Sequence, residues 1–358
     1  MALDSQALET QTKPMKTAVV ILNWNGKHLL EQFLPKVIAC SPDAEIVVAD
    51  NASTDQSVEL VQRLFPTVRI IENPHNNGYA GGYNEALAQI EADIFVLLNS
   101  DIEVTENWIE PVIKHFEENE NVAAVQPKIR AFKQRDRFEY AGAAGGFIDR
   151  FGFPFCRGRI FEESEVDTGQ YDDVTEVFWA SGACMFVRAT IFNECEGFDE
   201  SFFAHMEEID LCWRMKNRGY TILVEPKSVV FHIGGGTLSK SNWRKTYLNF
   251  RNNLELIYKN IEGQYLLRSL FMRMVLDGIA AFKFLFTNGI SHFYAIIRAH
   301  MHFYRLIPTI RQKRKRLKAL EHDRNSAGVY MGSIVADYFI RGKKSFRDLT
   351  ISKTINNV

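Results

Sequence analysis

Three carboxylates crowd into one short stretch, Glu207-Glu208-Ile209-Asp210, and a fourth, Asp101, stands at the end of the apolar run Ile94-Phe95-Val96-Leu97-Leu98. Crowded carboxylates raise one another's pKa, and one of them can be poised as a general base. Negative charge at the start of a helix is also favourable in itself, so a structural reading stands beside the catalytic one. A short, fully apolar run reads as a buried strand. Open α/β sheets bind ligands at that end of their strands, and an oxygen donor there suits Mg²⁺ or Mn²⁺ carrying a diphosphate. His232 follows the apolar residues 229–231 and precedes the glycines 234–236; an imidazole there is either a structural residue or a metal ligand.

Polar clusters recur wherever a strand is expected to end: Asn23 and Asn25, Asp50 to Asp55, Asn77-Gly78 to Asn84, and Asn99-Ser100-Asp101. Each alone is ordinary turn chemistry. Together they form the set a nucleotide needs: amides and carboxylates for base and ribose, glycines for close backbone approach, and a metal donor for the phosphates.

The elements that position these residues follow from hydrophobic periodicity. Strands are expected at 17–22, 45–49, 68–71 and 94–98, with amphipathic helices at 28–38 and 56–65. A flexible loop at 76–82 is expected to open a helix at 83–90. This alternation implies a parallel sheet with right-handed crossovers. Beyond Glu139 the pattern breaks: 147–173 reads as a long loop, followed by a strand at 183–187, a helix at 208–217, a strand at 221–224 and helical sequence from Trp243 onward.

The chain has 358 residues, enough for one large core with an appendage or for two modest domains. A net charge of −2 gives no global reason to expect nucleic acid, and the single basic run RQKRKRLK (311–318) is weak evidence for a nucleic-acid site. Five scattered cysteines without zinc spacing suggest reduced thiols and a cytosolic location. Residues 1–16 are polar, lack the apolar core of a secretory signal and read as a flexible lead-in. No window of about 18 residues is free of charge, so a plain transmembrane helix is not expected.

Six blocks now align with a known pattern: VVILNWNG (19–26), VVADNASTDQS (47–57), NNGYAGGYNEAL (76–87), FVLLNSDIEV (95–104), SGACMFVRATIF (181–192) and GFDESFFAHMEEIDLCWRMKNRGY (197–220). In order and spacing they resemble family 2 glycosyltransferases, the bacterial rhamnosyltransferase-like branch in particular. The resemblance implies an α/β GT-A fold with a mostly parallel, Rossmann-like central sheet. A glycosyltransferase domain would span 17–260, with a nucleotide-sugar half (17–130) and an acceptor half (131–260). It also implies inverting transfer from a nucleotide diphosphate-sugar to a hydroxyl, with Mg²⁺ or Mn²⁺ as cofactor.

Carried over by position, Asn23, Asp50 and Asp55 would line the base and ribose, with Asn25, Asn77, Gly78, Asn84, Asn99 and Ser100 nearby. Asp101 matches the last acid of the family's DxD motif and would bind the metal; Asn99 replaces the first. His232 matches a histidine that completes the metal site in some relatives. Glu208 matches the general base, Glu207 remains open for that role, and Asp210 would support the motif. Trp179, Ser181 and Gly182 would lie at the acceptor end of the cleft. The segment FGFPFCRGR (151–159) would either fold over the diphosphate or form an anchored surface loop.

Residues 261–358 are expected to be a helical, basic extension. Leu267, Phe271, Met274, Val275, Gly278, Ala281, Phe282, Leu285 and Phe286 trace a wide apolar face, interrupted by Arg268, Arg273, Asp277 and Lys283. A helix of this kind suits the interface of an anionic membrane, and a lipid-linked acceptor would require that contact. The alternative is packing on the catalytic domain. The overall expectation is a cytoplasmic enzyme, peripheral on the inner face of the cell membrane, building surface glycan on a lipid-linked or polysaccharide acceptor. Competing readings are a catalytically silent partner in a glycan-assembly complex and a sugar nucleotidyltransferase; Asn23-Trp24-Asn25-Gly26 lacks the glycine- and arginine-rich loop of the latter.

Overall fold

The computed structural model describes residues 14–234 and 242–351. The lead-in up to residue 13 and the glycines 235 and 236 lie outside them. The first half alternates as its periodicity dictates: β1 (Thr17–Asn23), α1 (Lys27–Ala39), β2 (Glu45–Asp50), α2 (Ser57–Leu64), β3 (Arg69–Glu72), α3 (Gly78–Leu87) and β4 (Ile94–Asn99). Then follow β5 (Ile102–Val104), α4 (Glu110–Glu118) and β6 (Val122–Ala131).

β3, β2, β1 and β4 lie side by side in parallel. Residues of β1, β2 and β4 are almost all buried, as a sheet covered on both faces requires. Parallel register also aligns the polar strand ends: Asn23 stands opposite Asp50, and Leu22 opposite Asn99.

α3 begins at Gly78, so the expected loop at 76–82 is largely helix. Its glycines serve close packing. A Cβ on Gly82 would come within 2.9 Å of both Leu22 and Asn51, and one on Gly78, whose φ is +71°, would collide with the Phe203 carbonyl.

The long loop expected at 147–173 is instead a small sheet built from β7 (Gly146–Asp149), β8 (Pro154–Cys156), β9 (Arg159–Ile160) and β10 (Glu163–Ser164). Such short strands carry no readable periodicity. Arg157 is buried here and donates to Ala144 O and Thr175 Oγ1 while pairing with Asp173, and Arg159 donates to Tyr140 O and Phe161 O. Segment 151–159 is thus part of this sheet and not a loop, with the guanidinium groups of Arg157 and Arg159 bonded within the fold.

β11 (Thr175–Glu176) and β12 (Cys184–Arg188) return the chain to the main sheet, where β12 enters antiparallel between β4 and β6. Next come α5 (Ala189–Glu194), α6 (Glu207–Lys216) and β13 (Thr221–His232). β13 runs past the expected end at 224, through an irregularity around Pro226, and pairs parallel with β6 and antiparallel with β5. Among the described residues, nine strands form this mixed sheet.

α7 (Trp243–Asn260), α8 (Gly263–Thr287) and α9 (Ile290–Lys318) follow. α8 is polar inside and apolar outside. Arg273 and Asp277 are buried and paired at 2.7 Å, whereas Leu267 is 82% and Phe286 84% exposed. The basic run at the end of α9 is largely engaged inside the protein: Lys313 with Asp199, Arg314 with Tyr258 O, Arg316 with Glu196 and Lys318 with Glu321. The chain then adds β14 (Val329–Tyr330) to β7 and ends its described part after α10 (Ile334–Phe339). No helix among the described residues is long and apolar enough to cross a membrane.

Candidate active site

The antiparallel pairing of β5 with β13 sets His232 opposite Ile102 and so beside Asp101. His232 Nε2 lies 3.1 Å from Asp101 Oδ1, and His232 Nδ1 lies 3.2 Å from Glu139 Oε2. All three side chains are buried. Burial works against a charged imidazole, but the carboxylates on either side prevail and push His232 up to about 10. Burial would likewise raise both carboxyls, yet the contact with His232 holds Asp101 and Glu139 below their ordinary values.

The same arrangement tests the fit of a divalent cation. One carboxylate and one imidazole nitrogen converge, and Glu139 behind Nδ1 orients the ring as outer-shell carboxylates do for metal-ligating histidines. No group of three or more His, Cys, Asp or Glu side chains suited to a metal is found among the described residues. Two protein donors plus substrate phosphates match how Mg²⁺ is held at phosphate-transfer sites. The donor set therefore fits.

Glu207 and Glu208 occupy the first turn of α6, after a loop in which Phe203, His205 and Met206 all have positive φ. Such strain in non-glycine residues persists only where surrounding structure holds it. Here the holder is α7. Asn252 Nδ2 reaches the carbonyls of Phe202, Ala204 and His205 at 3.0, 2.9 and 2.7 Å, and Arg251 donates to Ser201 O and Phe202 O.

Burial raises both glutamates, Glu207 the further because the Glu208 charge adds to it. The helix-start amides of Met206, Glu208 and Ile209 oppose the rise at Glu208. The two carboxyls therefore titrate as a pair above the ordinary glutamate range, and each leaves one buried oxygen without a protein partner. Asp210 has no exposed surface and is held by Lys259 at 2.8 Å, Arg214 at 2.9 Å and Asn260 at 2.7 Å, which ties α6 to α7.

The two carboxylate groups belong to one neighbourhood. The charges of Glu139 and Glu208 both bear on the buried thiol of Cys156. Those of Glu207 and Glu208 bear on Tyr79, whose hydroxyl donates to Gly182 O at 2.7 Å. Gly182 has no room for a side chain, since a Cβ would meet the Tyr79 hydroxyl at 2.7 Å. Ser181 donates to Ala141 O, and the Ala141 amide donates to Glu139. Trp179 is buried on Gly146 and donates to Phe147 O, so it supports this wall from inside the fold.

At the other strand ends, Asn23 Nδ2 donates to Asp50 at 2.9 Å, while its Oδ1 is buried without a partner. Asn25 accepts from the Thr54 amide, and Asp55 accepts from the Lys27 amide and Ser57. These bonds lock the two loops together. Asn77 donates to Glu85. Asn84 exchanges hydrogen bonds with both Phe198 N and Phe198 O, which fastens α3 to the segment before the strained loop. Asn99 and Ser100 are half-buried beside Asp101.

Glu139, Tyr79 and Asn252 are the members that sequence reasoning missed. Glu139 is a lone acid before a small-residue stretch and carries no signal. Tyr79 lies inside a block already singled out. The polar triplet Arg251-Asn252-Asn253, interrupting helical apolar sequence, could have marked Asn252.

A mixed sheet with polar strand ends, a carboxylate–imidazole pair and a poised glutamate define a glycosyltransferase that uses a nucleotide-sugar donor. The family described as "Glycosyl transferase family 2" matches residues 18–194. The N-acetylglucosaminyl-diphospho-decaprenol L-rhamnosyltransferase of Mycobacterium tuberculosis is 26% identical over 232 residues, 60% of this chain and 75% of that protein. TarS 1–349 of S. aureus, solved with UDP-GlcNAc, superposes with a TM-score of 0.55 at 16% identity, covering 86% of this chain and 84% of TarS. GalNAc-T7, solved with UDP, GalNAc and Mn²⁺, gives 0.54 at 16% identity over 68% of this chain and 48% of its own. Residues 18–194 thus belong to the family 2 glycosyltransferases, rhamnosyltransferases are among the proteins this chain is similar to, and the fold is GT-A.

Proposed function

We propose that the protein transfers a sugar, with inversion and with Mg²⁺ or Mn²⁺, from a UDP- or dTDP-linked donor to a hydroxyl of a lipid-linked or polysaccharide acceptor. dTDP-rhamnose is the donor of first choice, and bacterial surface-glycan synthesis is the setting. The observation that carries this reading is the shared neighbourhood of the Asp101–His232 pair and the Glu207–Glu208 pair, bridged through Glu139, Ala141, Ser181, Gly182 and Tyr79. The relatives support it: one is a rhamnosyltransferase whose name contains a diphospho-decaprenol, and another has a Mn²⁺-containing structure.

On this reading residues 17–130 form the donor half and 131–260 the acceptor half. The amides and carboxylates at Asn23, Asn25, Asp50 and Asp55, with Asn77, Gly78, Asn99 and Ser100, seat the nucleotide. Asp101 and His232 would hold the cation, which when bound would supply positive charge to offset that developing on the leaving diphosphate. Glu208 accepts the proton of the acceptor hydroxyl as its oxygen bonds to the anomeric carbon and the bond to diphosphate breaks. Glu207 shares its buried, raised-pKa surroundings and is the other candidate for that role. Asn84 and Asp210 act as positioning residues, and Ser181 and Gly182 form the acceptor-side wall with Trp179 behind them.

α8 carries the membrane contact, on the inner face of the cell membrane. Its outward face joins Leu267, Phe271, Ile279, Phe282 and Phe286 to exposed Arg268 and Lys283, a combination suited to an anionic interface.

A donor screen tests the transferase reading. Release of nucleoside diphosphate from UDP-, dTDP- and GDP-sugars is followed with Mn²⁺ or Mg²⁺. Metal-dependent hydrolysis of one donor, lost in Asp101→Ala, is the expected result. Failure to bind any donor, even with a lipid-linked acceptor present, overturns it.

A further inference from the structure

The start of α7 and the middle of α9 share a basic, aromatic face, and of its residues only the buried Arg251 is engaged with the loop before α6. Arg298 lies 6.0 Å from the Trp243 ring and 5.6 Å from that of Tyr247, and Arg251 lies 5.7 Å from Tyr247. Tyr247 stacks on His302 and hydrogen-bonds it through its hydroxyl. Partial burial lowers the His302 pKa, and the charges of Arg251, Arg305 and Arg298 lower it further. Glu255 opposes this only weakly from its buried position, where it is engaged by Ser201 and Lys313. Among the described residues no carboxylate pairs with Arg298 or Arg305, and both are exposed. Like charges gathered without counter-charge make a seat for a polyanion.

The position of this face narrows what the polyanion is. On one side Arg251 continues to the carbonyls of Ser201 and Phe202, in the loop that leads to Glu207 and Glu208. On the other side α9 exposes Tyr294, Ile297, Met301 and Tyr304, interleaved with Arg298 and Arg305. Arginine with aromatic and aliphatic side chains at one level is the composition of a membrane–water boundary.

We propose that the face formed by Trp243, Tyr247, Arg298, His302 and Arg305, backed by the buried Arg251, seats the diphosphate of a polyprenol-linked acceptor, holding its headgroup between the lipid surface and the loop before α6. The inference rests on the transferase reading above. Arginine recognises phosphate oxygens through paired N–H donors, which gives a diphosphate the advantage over a singly charged phospholipid.

The test is flotation of the full chain with three kinds of vesicle: phosphatidylcholine alone, with phosphatidylglycerol, and with a polyprenyl diphosphate at matched charge. The expected result is roughly ten-fold tighter binding to polyprenyl diphosphate than to phosphatidylglycerol vesicles, the size of one net charge-assisted hydrogen bond. That surplus disappears in Arg298→Gln/Arg305→Gln and survives in Lys36→Gln/Lys114→Gln, which removes the same charge from exposed positions on α1 and α4. Equal binding to both charged vesicles marks a general membrane contact and overturns the site, as does a surplus that persists in the arginine variant. Donor hydrolysis by the same wild-type preparation separates the two readings. With donor turned over and no surplus, the diphosphate seat alone falls; with no donor bound or turned over, the transferase reading falls and takes this inference with it.

Discussion

His232 Nε2 and Asp101 Oδ1 stand 3.1 Å apart, with Glu139 3.2 Å from the other ring nitrogen of His232. If His232 holds the cation as proposed, Glu139 would orient that ligand from the opposite side of the ring. Glu139→Gln is expected to weaken Mn²⁺ binding in the presence of nucleoside diphosphate by roughly 10- to 100-fold, read by titration calorimetry. Unchanged affinity would show that the ring needs no orienting carboxylate.

Glu208→Gln is expected to lower kcat by roughly 100- to 10,000-fold with donor affinity retained. The base must be ionised and its folded pKa is raised, so kcat in the wild type climbs as pH rises and levels off above the ordinary glutamate range. Glu207→Gln is expected to keep that acidic limb. A limb lost in Glu207→Gln and kept in Glu208→Gln would exchange their roles.

The same pair has a signature in stability. A carboxyl whose folded pKa lies above its unfolded value contributes stability below the unfolded value and loses it as pH rises through the folded one. Glu207 is raised well above its ordinary value by burial and by Glu208. The Tm of Glu207→Gln, measured against wild type, is expected to improve steadily from pH 5 to pH 9. A difference that does not change with pH would show that Glu207 ionises as freely in the fold as in the unfolded chain.

Asn252→Ala leaves the carbonyls of Phe202, Ala204 and His205 without their shared donor. Each buried, unsatisfied group costs about 1–3 kcal/mol, and the strained loop relaxes. On the proposed mechanism the expected outcome is a kcat loss much larger than any change in donor KM, because the loop would carry the base and not the nucleotide. Parallel losses in both would indicate general unfolding.

Asp210→Ala leaves Lys259 and Arg214 buried with one acceptor fewer. Breaking such a pair costs about 3–5 kcal/mol, whereas Glu45→Ala at the exposed Arg69 pair costs about 0–1 kcal/mol. Urea denaturation of both variants checks the contrast. Similar midpoints would show that Asp210 is not a structural anchor.

The donor half was legible because its strands are unbroken apolar runs buried on both faces, and because parallel pairing forces their polar ends to one edge. Asp101, Asn23 and Asp50 could be placed from that pattern alone. Glu207 and Glu208 were visible as a crowded acidic stretch at a helix start. The face of α8 was traced in sequence, but not its direction: Arg273 and Asp277, which interrupt the apolar stripe, turn inward to each other and to His300. The small sheet looks like a loop in the sequence because its strands are two to four residues long and one of them comes from beyond α9.

By itself the sequence determined the family resemblance, the edge at which the polar strand ends gather and the crowded acidic stretch at the start of α6, since these depend on local pattern and residue type. Tertiary structure alone decided which groups meet. Glu139 reaches His232 only because β5, β6 and β13 bring their ends together. Asn252 reaches the base loop only because α7 packs beneath it, and no spacing along the chain encodes a hydrogen bond made across the fold.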